Sequence, residues 1–281
     1  MCNCKHIQLL PTILKNINYP TIIYKYRDWN NPYHKNILLS NELYLSSPKD
    51  FNDPFDCRIY KNFTILDSKE KIELFIENFC EKHGEYLIDE NRDVESVKND
   101  LRKSLSNLAE FQRMQEFAES KAMDENYGIL SLTARWNSIL MWSHYGNNHQ
   151  GFCIGFNEEK MRNSGLFNNG GPVTYRNDFP EINPLTEEES LEVMFLQTHS
   201  KAKDWTYEKE YRLIKLFYPD TPTNDERKVF VSDNLIEEVN LGLNISQENR
   251  EQIVLECKRR NIPVFQLIKE PFKFELNRTK L

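Results

Sequence analysis

Glycine is scarce in this chain, nine residues in 281, and no run of them forms a phosphate-cradling loop. The G-x-S-x-G elbow of serine hydrolases and the H-E-x-x-H pair of zinc proteases are missing as well. No apolar stretch approaches the roughly 18 residues that a membrane-spanning helix needs. No internal repeat and no low-complexity linker interrupts the chain. The N-terminus "MCNCKHIQLLPTILK" lacks the long apolar core and small-residue cleavage site of a signal peptide. Six cysteines are scattered without framework spacing, the usage expected of reduced thiols in a cytoplasm. Cys2, Cys4 and His6 read as a frayed terminus, because a structural zinc needs four ligands and no C-x-x-C follows. No metal site and no membrane partner are therefore expected.

What is present is the composition of an ordinary globular protein, rich in aromatics, with a net charge of −7. That balance favours solubility over a polyanionic partner. "TIIYKYRDW" (21–29) and "ELYLSSP" (42–48) read as strands, the second closed by a proline. "DFNDPFD" (50–56) supplies turn chemistry. Residues 67–126 change period. Ile72, Phe75, Ile76 and Phe79 share one helix face that Asp67 or Ser68 can cap, and Val94, Val97, Leu101, Leu105 and Leu108 line a second, longer helix capped by Asp93. Strand character returns at 127–134. A brief helix capped by Asn137 leads into the strand "GFCIGF" (151–156), with "GPVTYR" (171–176) the next strand. Residues 191–202 read as a helix, and "WTYEKEYRLIKLFY" (205–218) as the longest strand. The tail adds strands and a helix near 246–260. The simplest account is a single α+β domain over 1–281, built on a mixed, mostly antiparallel sheet with a helical insert at 67–126.

Chemistry concentrates in "YEKEYR" (207–212). On a strand, Glu208, Glu210 and Arg212 share a face, and paired carboxylates on one face suit acid/base or electrostatic work unless Arg212 merely neutralises them. Lys25 and Arg27 sit opposite Tyr24 and Tyr26 at the end of the first strand; arginine suits bidentate recognition of phosphate or carboxylate, and plain surface charge on a strand end is the alternative. Ser46 and Ser47 either donate to a ligand or stabilise a turn. In "MWSHYGNNHQGFCIGF" (141–156), Trp142 or Tyr145 is placed to stack on a base and His144 to bond a ribose, though helical spacing keeps the cluster from converging on one point. Asp50, Asp53 and Asp56, with the two glutamates, suggest a Mg²⁺-dependent nuclease, a reading disfavoured by the acidic balance.

"YKYR", "LYLSSPKDFNDPFD", "ILSLTARWNSILMWSHYGNNHQGFCIGF" and "KDWTYEKEYRLI", in that order, resemble the bacterial domain-of-unknown-function family numbered 2971 over most of the chain. A second resemblance, to ADP-ribosyltransferases of the arginine–serine–glutamate type, rests on Arg27, then Ser46-Ser47, then Glu208-Lys209-Glu210. The serine strand departs from that pattern in reading Ser-Ser-Pro, and the helical insert lengthens the gap. The resemblance implies that fold and NAD as substrate. Arg27 would hold the NAD phosphate or ribose, with Tyr26, Trp142, His144 and Tyr145 lining the site. Ser46 or Ser47 would brace the nicotinamide ribose, Glu210 would stabilise the oxocarbenium-like transition state, and Glu208 would orient an acceptor, a protein or nucleic acid. The expected function is thus an NAD-consuming ADP-ribosyltransferase or glycohydrolase, a toxin or phage-defence effector by analogy. The alternative is a non-enzymatic nucleotide-binding sensor.

Overall fold

The computed structural model describes residues 18–89, 93–186 and 191–281. Cys2, Cys4 and His6 lie outside them. The elements run β1 (Ile22–Arg27), α1 (Pro32–Leu39) and β2 (Glu42–Tyr44), then the helices α2 (Lys69–Asp89), α3 (Val94–Leu105) and α4 (Leu108–Asn126). Next come β3 (Tyr127–Thr133), α5 (Ile139–His144), β4 (Phe152–Asn157), α6 (Glu158–Arg162), β5 (Asn169–Pro172) and β6 (Thr174–Arg176). α7 (Leu191–Thr198) and β7 (Ser200–Ala202) lead to β8 (Glu210–Leu216) and β9 (Lys228–Phe230). The chain closes with β10 (Ile236–Leu241), α8 (Gln247–Arg259), β11 (Val264–Lys269) and β12 (Leu276–Lys280).

Contacts divide the chain into two compact units. The first takes Met1–Asn52, Glu125–Asn177 and Lys201–Leu281, and the second Asp53–Asp124 with Asp178–Ser200. The helical part expected at 67–126 thus begins earlier and is completed by a later segment containing α7. Its core gathers Phe63, Leu66, Ile76, Val97, Leu105 and Phe111, with Phe63 in edge contact with Phe75 and Phe111. Ser68 and Asp93 cap α2 and α3, as their side-chain chemistry dictates. The single long second helix that was expected breaks at 106–107, where Asn107 Oδ1 accepts the Glu110 N–H and starts α4.

The first unit is an eight-stranded sheet in the order β12-β11-β10-β4-β1-β3-β8-β5. Every pairing in it is antiparallel except β10–β11. The mixed, mostly antiparallel α+β architecture read from the sequence is therefore present. On one face, Ile23, Phe152, Ile154, Phe156, Leu130, Leu213 and Val239 form the main core, joined by Leu38 of α1, Met161 of α6 and Ile253 of α8. On the other face, Tyr24, Tyr26 and Cys153 pack against Met141 and Trp142 of α5. The alternation of β1 creates this division, since successive side chains point to opposite faces.

Two features of the sheet frame the site. The pairing of β1 with β3 consists of one residue pair, Tyr24 with Thr133. Beyond it the strands part, and Ser46 takes over the edge of β3 in a bridge to Ile129, with both backbone bonds made at 3.0 and 2.9 Å. The second feature corrects the expected strand at 205–218. Lys203–Glu208 form a 3-10 turn, and Lys209 adopts a left-handed conformation with φ 44° before β8 begins at Glu210. α1 and β12 have no counterpart among the expected elements, and α5 is capped by Ser138 where Asn137 was expected.

Candidate functional site

The turn at 203–208 and the first residues of β8 bring Glu208 and Glu210 together. A regular strand would place them on one face; the left-handed Lys209 achieves the convergence by a different path. Both carboxylates bond to one ammonium, Lys201 Nζ, at 2.6 Å from Glu208 Oε2 and 3.1 Å from Glu210 Oε2. Arg212 then clasps Glu210 in a fork, Nε to Oε1 at 2.8 Å and Nη2 to Oε2 at 2.9 Å. The Tyr145 hydroxyl donates to Glu208 Oε1 at 2.7 Å, and the Tyr175 hydroxyl accepts the Glu210 N–H at 2.8 Å. All four charged residues are buried, Arg212 completely. Two anions and two cations balance, which is how buried charge is tolerated.

Burial works to raise the Glu210 carboxyl, but the Arg212 and Lys201 charges outweigh it and hold the group well below the usual carboxylate range, helped by the Ser131 hydroxyl. Burial pushes the Tyr145 phenol up, and its bond to Glu208 adds to the shift. It therefore acts as a hydrogen-bond donor at neutral pH. Above the cluster lies a rim of rings. Trp205 and Tyr207 have centroids 6.1 Å apart, Tyr207 and His144 6.1 Å, and His144 and Tyr145 6.4 Å.

A second polar group occupies the end of β1. Where β1 and β3 part, Lys25 Nζ donates to the Ser131 carbonyl. Burial drives the Lys25 amine well below its ordinary value and the Arg27 charge pushes the same way, opposed by the charges of Glu210 and Glu208. Arg27 is lowered by burial to about 10 and donates Nη1 to the Tyr26 carbonyl at 3.3 Å. His34, on α1, accepts the Asp28 N–H at Nδ1, 3.4 Å away. Burial, then the Arg27 charge, lowers its pKa to about 4. With Nδ1 accepting, the neutral ring carries its proton on Nε2. Among the described residues, no carboxylate forms an ion pair with Lys25 or Arg27.

The expected site residues divide accordingly. Glu208 and Glu210 come together, with Tyr145 on Glu208 and His144 in the rim. Tyr26 and Trp142 instead belong to the core. Trp142 is fully buried, its Nε1 donates to the Trp136 carbonyl at 2.7 Å, and its ring meets Tyr26 edge-on at 4.9 Å. Tyr26 in turn donates to the Arg135 carbonyl at 2.8 Å. Ser46 shares the face of Ile129 and hence of Glu210, but lies four residues along the strand from the Thr133–Glu210 pair, roughly 13 Å at 3.3 Å per residue. Ser47 is buried. The hydroxyl that meets Glu210 is that of Ser131.

Arg27 is the sharpest departure. Register carries the face of Tyr24 through Thr133 to Glu210. Arg27, three residues beyond Tyr24, points the other way, with its strand partner Phe152. Arg27 and Glu210 therefore project from opposite faces, and Lys25 is the β1 cation that the carboxylates act on. Asp50, Asp53 and Asp56 join no cluster: no group of three or more His, Cys, Asp or Glu able to hold a metal ion occurs among the described residues. Lys201 and Ser131 escaped the sequence reading. One sits in a segment read as helix, and the other looks like any polar residue on a half-buried strand.

No described helix is long and apolar enough to cross a membrane. No curated protein and no solved structure matches the chain. Residues 141–213, from α5 to the middle of β8, match the family model described as "Protein of unknown function (DUF2971)". The matched segment carries the carboxylate pair, Lys201 and the aromatic rim.

Proposed function

We propose that this chain is a nucleotide-binding protein whose Lys25, Arg27 and His34 receive the pyrophosphate of NAD or a related nucleotide. The observation that carries this reading is a half-buried group of donors with no carboxylate ion-paired to it among the described residues. A guanidinium has five N–H donors, and Arg27 directs one to a neighbouring carbonyl. Desolvating such a cation is costly, and an anion offsets the cost. In cytoplasm NAD, ADP-ribose and ADP would all present that chemistry. The test is thermal shift and calorimetry with these three ligands. Wild type should be stabilised in proportion to ligand concentration. Arg27→Ala should bind about 10- to 100-fold more weakly with little change in unliganded stability. Failure of all three ligands at millimolar concentration removes the reading.

A second reading, NAD-consuming ADP-ribosyl transfer or NAD hydrolysis, is favoured by one observation. Lys25 lies within electrostatic reach of both Arg27 and the carboxylate pair and so links the two polar groups, although Arg27 and Glu210 project from opposite faces of the sheet. Departure of nicotinamide leaves positive charge on the ribose, which a fixed carboxylate stabilises. Here Glu210 would exchange its Lys201 contact for the ribose. A role as a bacterial toxin or phage-defence effector follows by analogy from this reading alone. Release of nicotinamide from NAD by wild type, lost in both Glu210→Gln and Glu208→Gln, would establish it. Ligand stabilisation without any product would leave the binding reading in place.

A further inference from the structure

We propose that the aromatic rim above Glu208 is a docking surface for single-stranded nucleic acid. It lies on the Glu210 side of the sheet and is independent of the nucleotide reading above. His144 and Tyr145 are exposed at the end of α5, and Trp205 and Tyr207 stand half-buried beside them on the 203–208 turn. The four rings follow one another at centroid separations of 6.1 to 6.4 Å. Successive bases of a single strand stack on rings presented in this way, with little regard to sequence.

Charge complementarity selects the partner. Arg135, Lys203 and Lys209 are exposed around the rings, and among the described residues none of their side chains makes a hydrogen bond or ion pair. Arg135 is held close to Lys209, because the Ala134 N–H donates to the Lys209 carbonyl at 3.0 Å. The buried ions beneath contribute no net charge, two against two. One exposed acid, Asp204, offsets one of the three cations. The rim is therefore locally basic on a chain whose net charge is −7. A cation-seeking cage is a poor alternative, since Lys201 already lies over the Trp205 ring at 4.8 Å. Rings for bases with cations for phosphates are the two components of single-strand recognition.

The test is fluorescence anisotropy of a labelled twelve-nucleotide oligothymidylate or oligouridylate with the whole chain. Each phosphate contact contributes a salt slope of about −0.7, so three contacts predict roughly 20-fold weaker binding at 200 mM than at 50 mM salt. His144→Ala and Trp205→Ala should each weaken binding about 5- to 100-fold by removing a stacking ring. Arg135→Ala and Lys203→Ala should each flatten the salt slope by about 0.7. These side chains are exposed or half-exposed, and a melting curve on each variant confirms that it is folded. No anisotropy change for wild type at 50 mM salt overturns the proposal. So does binding that His144→Ala and Trp205→Ala leave unaltered, because attraction would then come from charge elsewhere. Saturation of the surface by a proline-rich peptide, with no oligonucleotide bound, overturns it as well.

Discussion

Glu208 and Glu210 share one ammonium, although a left-handed residue stands between them. Lys201 Nζ reaches both carboxylates, and Arg212 completes a buried quartet. Removing one member leaves charge without a counter-ion in a place water does not reach. Lys201→Met should therefore destabilise the protein by about 3–5 kcal/mol, measured by urea denaturation at pH 7. The deficit should shrink at low pH as a carboxyl takes up a proton.

Glu210→Gln has a cost of its own. The Arg212 fork loses its charge partner, so the melting temperature should fall even if the residue also takes part in a reaction. Because the folded Glu210 carboxyl lies below its ordinary value, its contribution is present above the unfolded pKa and disappears as pH falls through the folded one. Wild type and Glu210→Gln should accordingly differ most near neutrality and converge in strong acid. Parallel stability curves from pH 7 down to 2 would refute the linkage.

His34 titrates with the same sign by a different cause. Burial and Arg27 lower its pKa from 6.5 to about 4. The folded state thus binds fewer protons than the unfolded one across that interval. Stability associated with His34 is complete above pH 6.5 and is lost as pH falls toward 4. His34→Gln should flatten this part of the pH–stability curve. Urea midpoints between pH 7 and 4 measure the difference.

Lys209 tests the turn. Its φ of 44° is uncommon for a residue with a Cβ. Lys209→Gly should be neutral or stabilising by up to about 1 kcal/mol, because relief of strain opposes the greater freedom of an unfolded glycine. Lys209→Val should destabilise by about 1–3 kcal/mol, since a branched Cβ crowds that conformation.

The periodic parts of this protein could be read directly. β1, β3, β4 and the helices α2 and α3 follow from alternation, 3.6-residue spacing and the caps Ser68 and Asp93. What could not be read depends on particular backbone angles or on distant partners. A lysine gives no sign of adopting φ 44°, so the turn before Glu210 looked like more strand. Trp142 appeared reactive because of its neighbours in sequence, whereas its neighbours in space, Tyr26 and Trp136, make it core. Arg27 was placed correctly on β1, but its face relative to Glu210 depends on the Tyr24–Thr133 register, which is a long-range fact. Lys201 became part of the site only when the chain folded back on itself.

The parting of β1 from β3 has a mechanical consequence. Five strands on one side and three on the other meet at the single Tyr24–Thr133 pair. Such a joint can flex at the cost of very few backbone bonds, while each flank stays tightly laced. Lys25 and Ser46 occupy the mouth of that joint, so whatever wedges between them would be felt as a change of angle across the whole sheet.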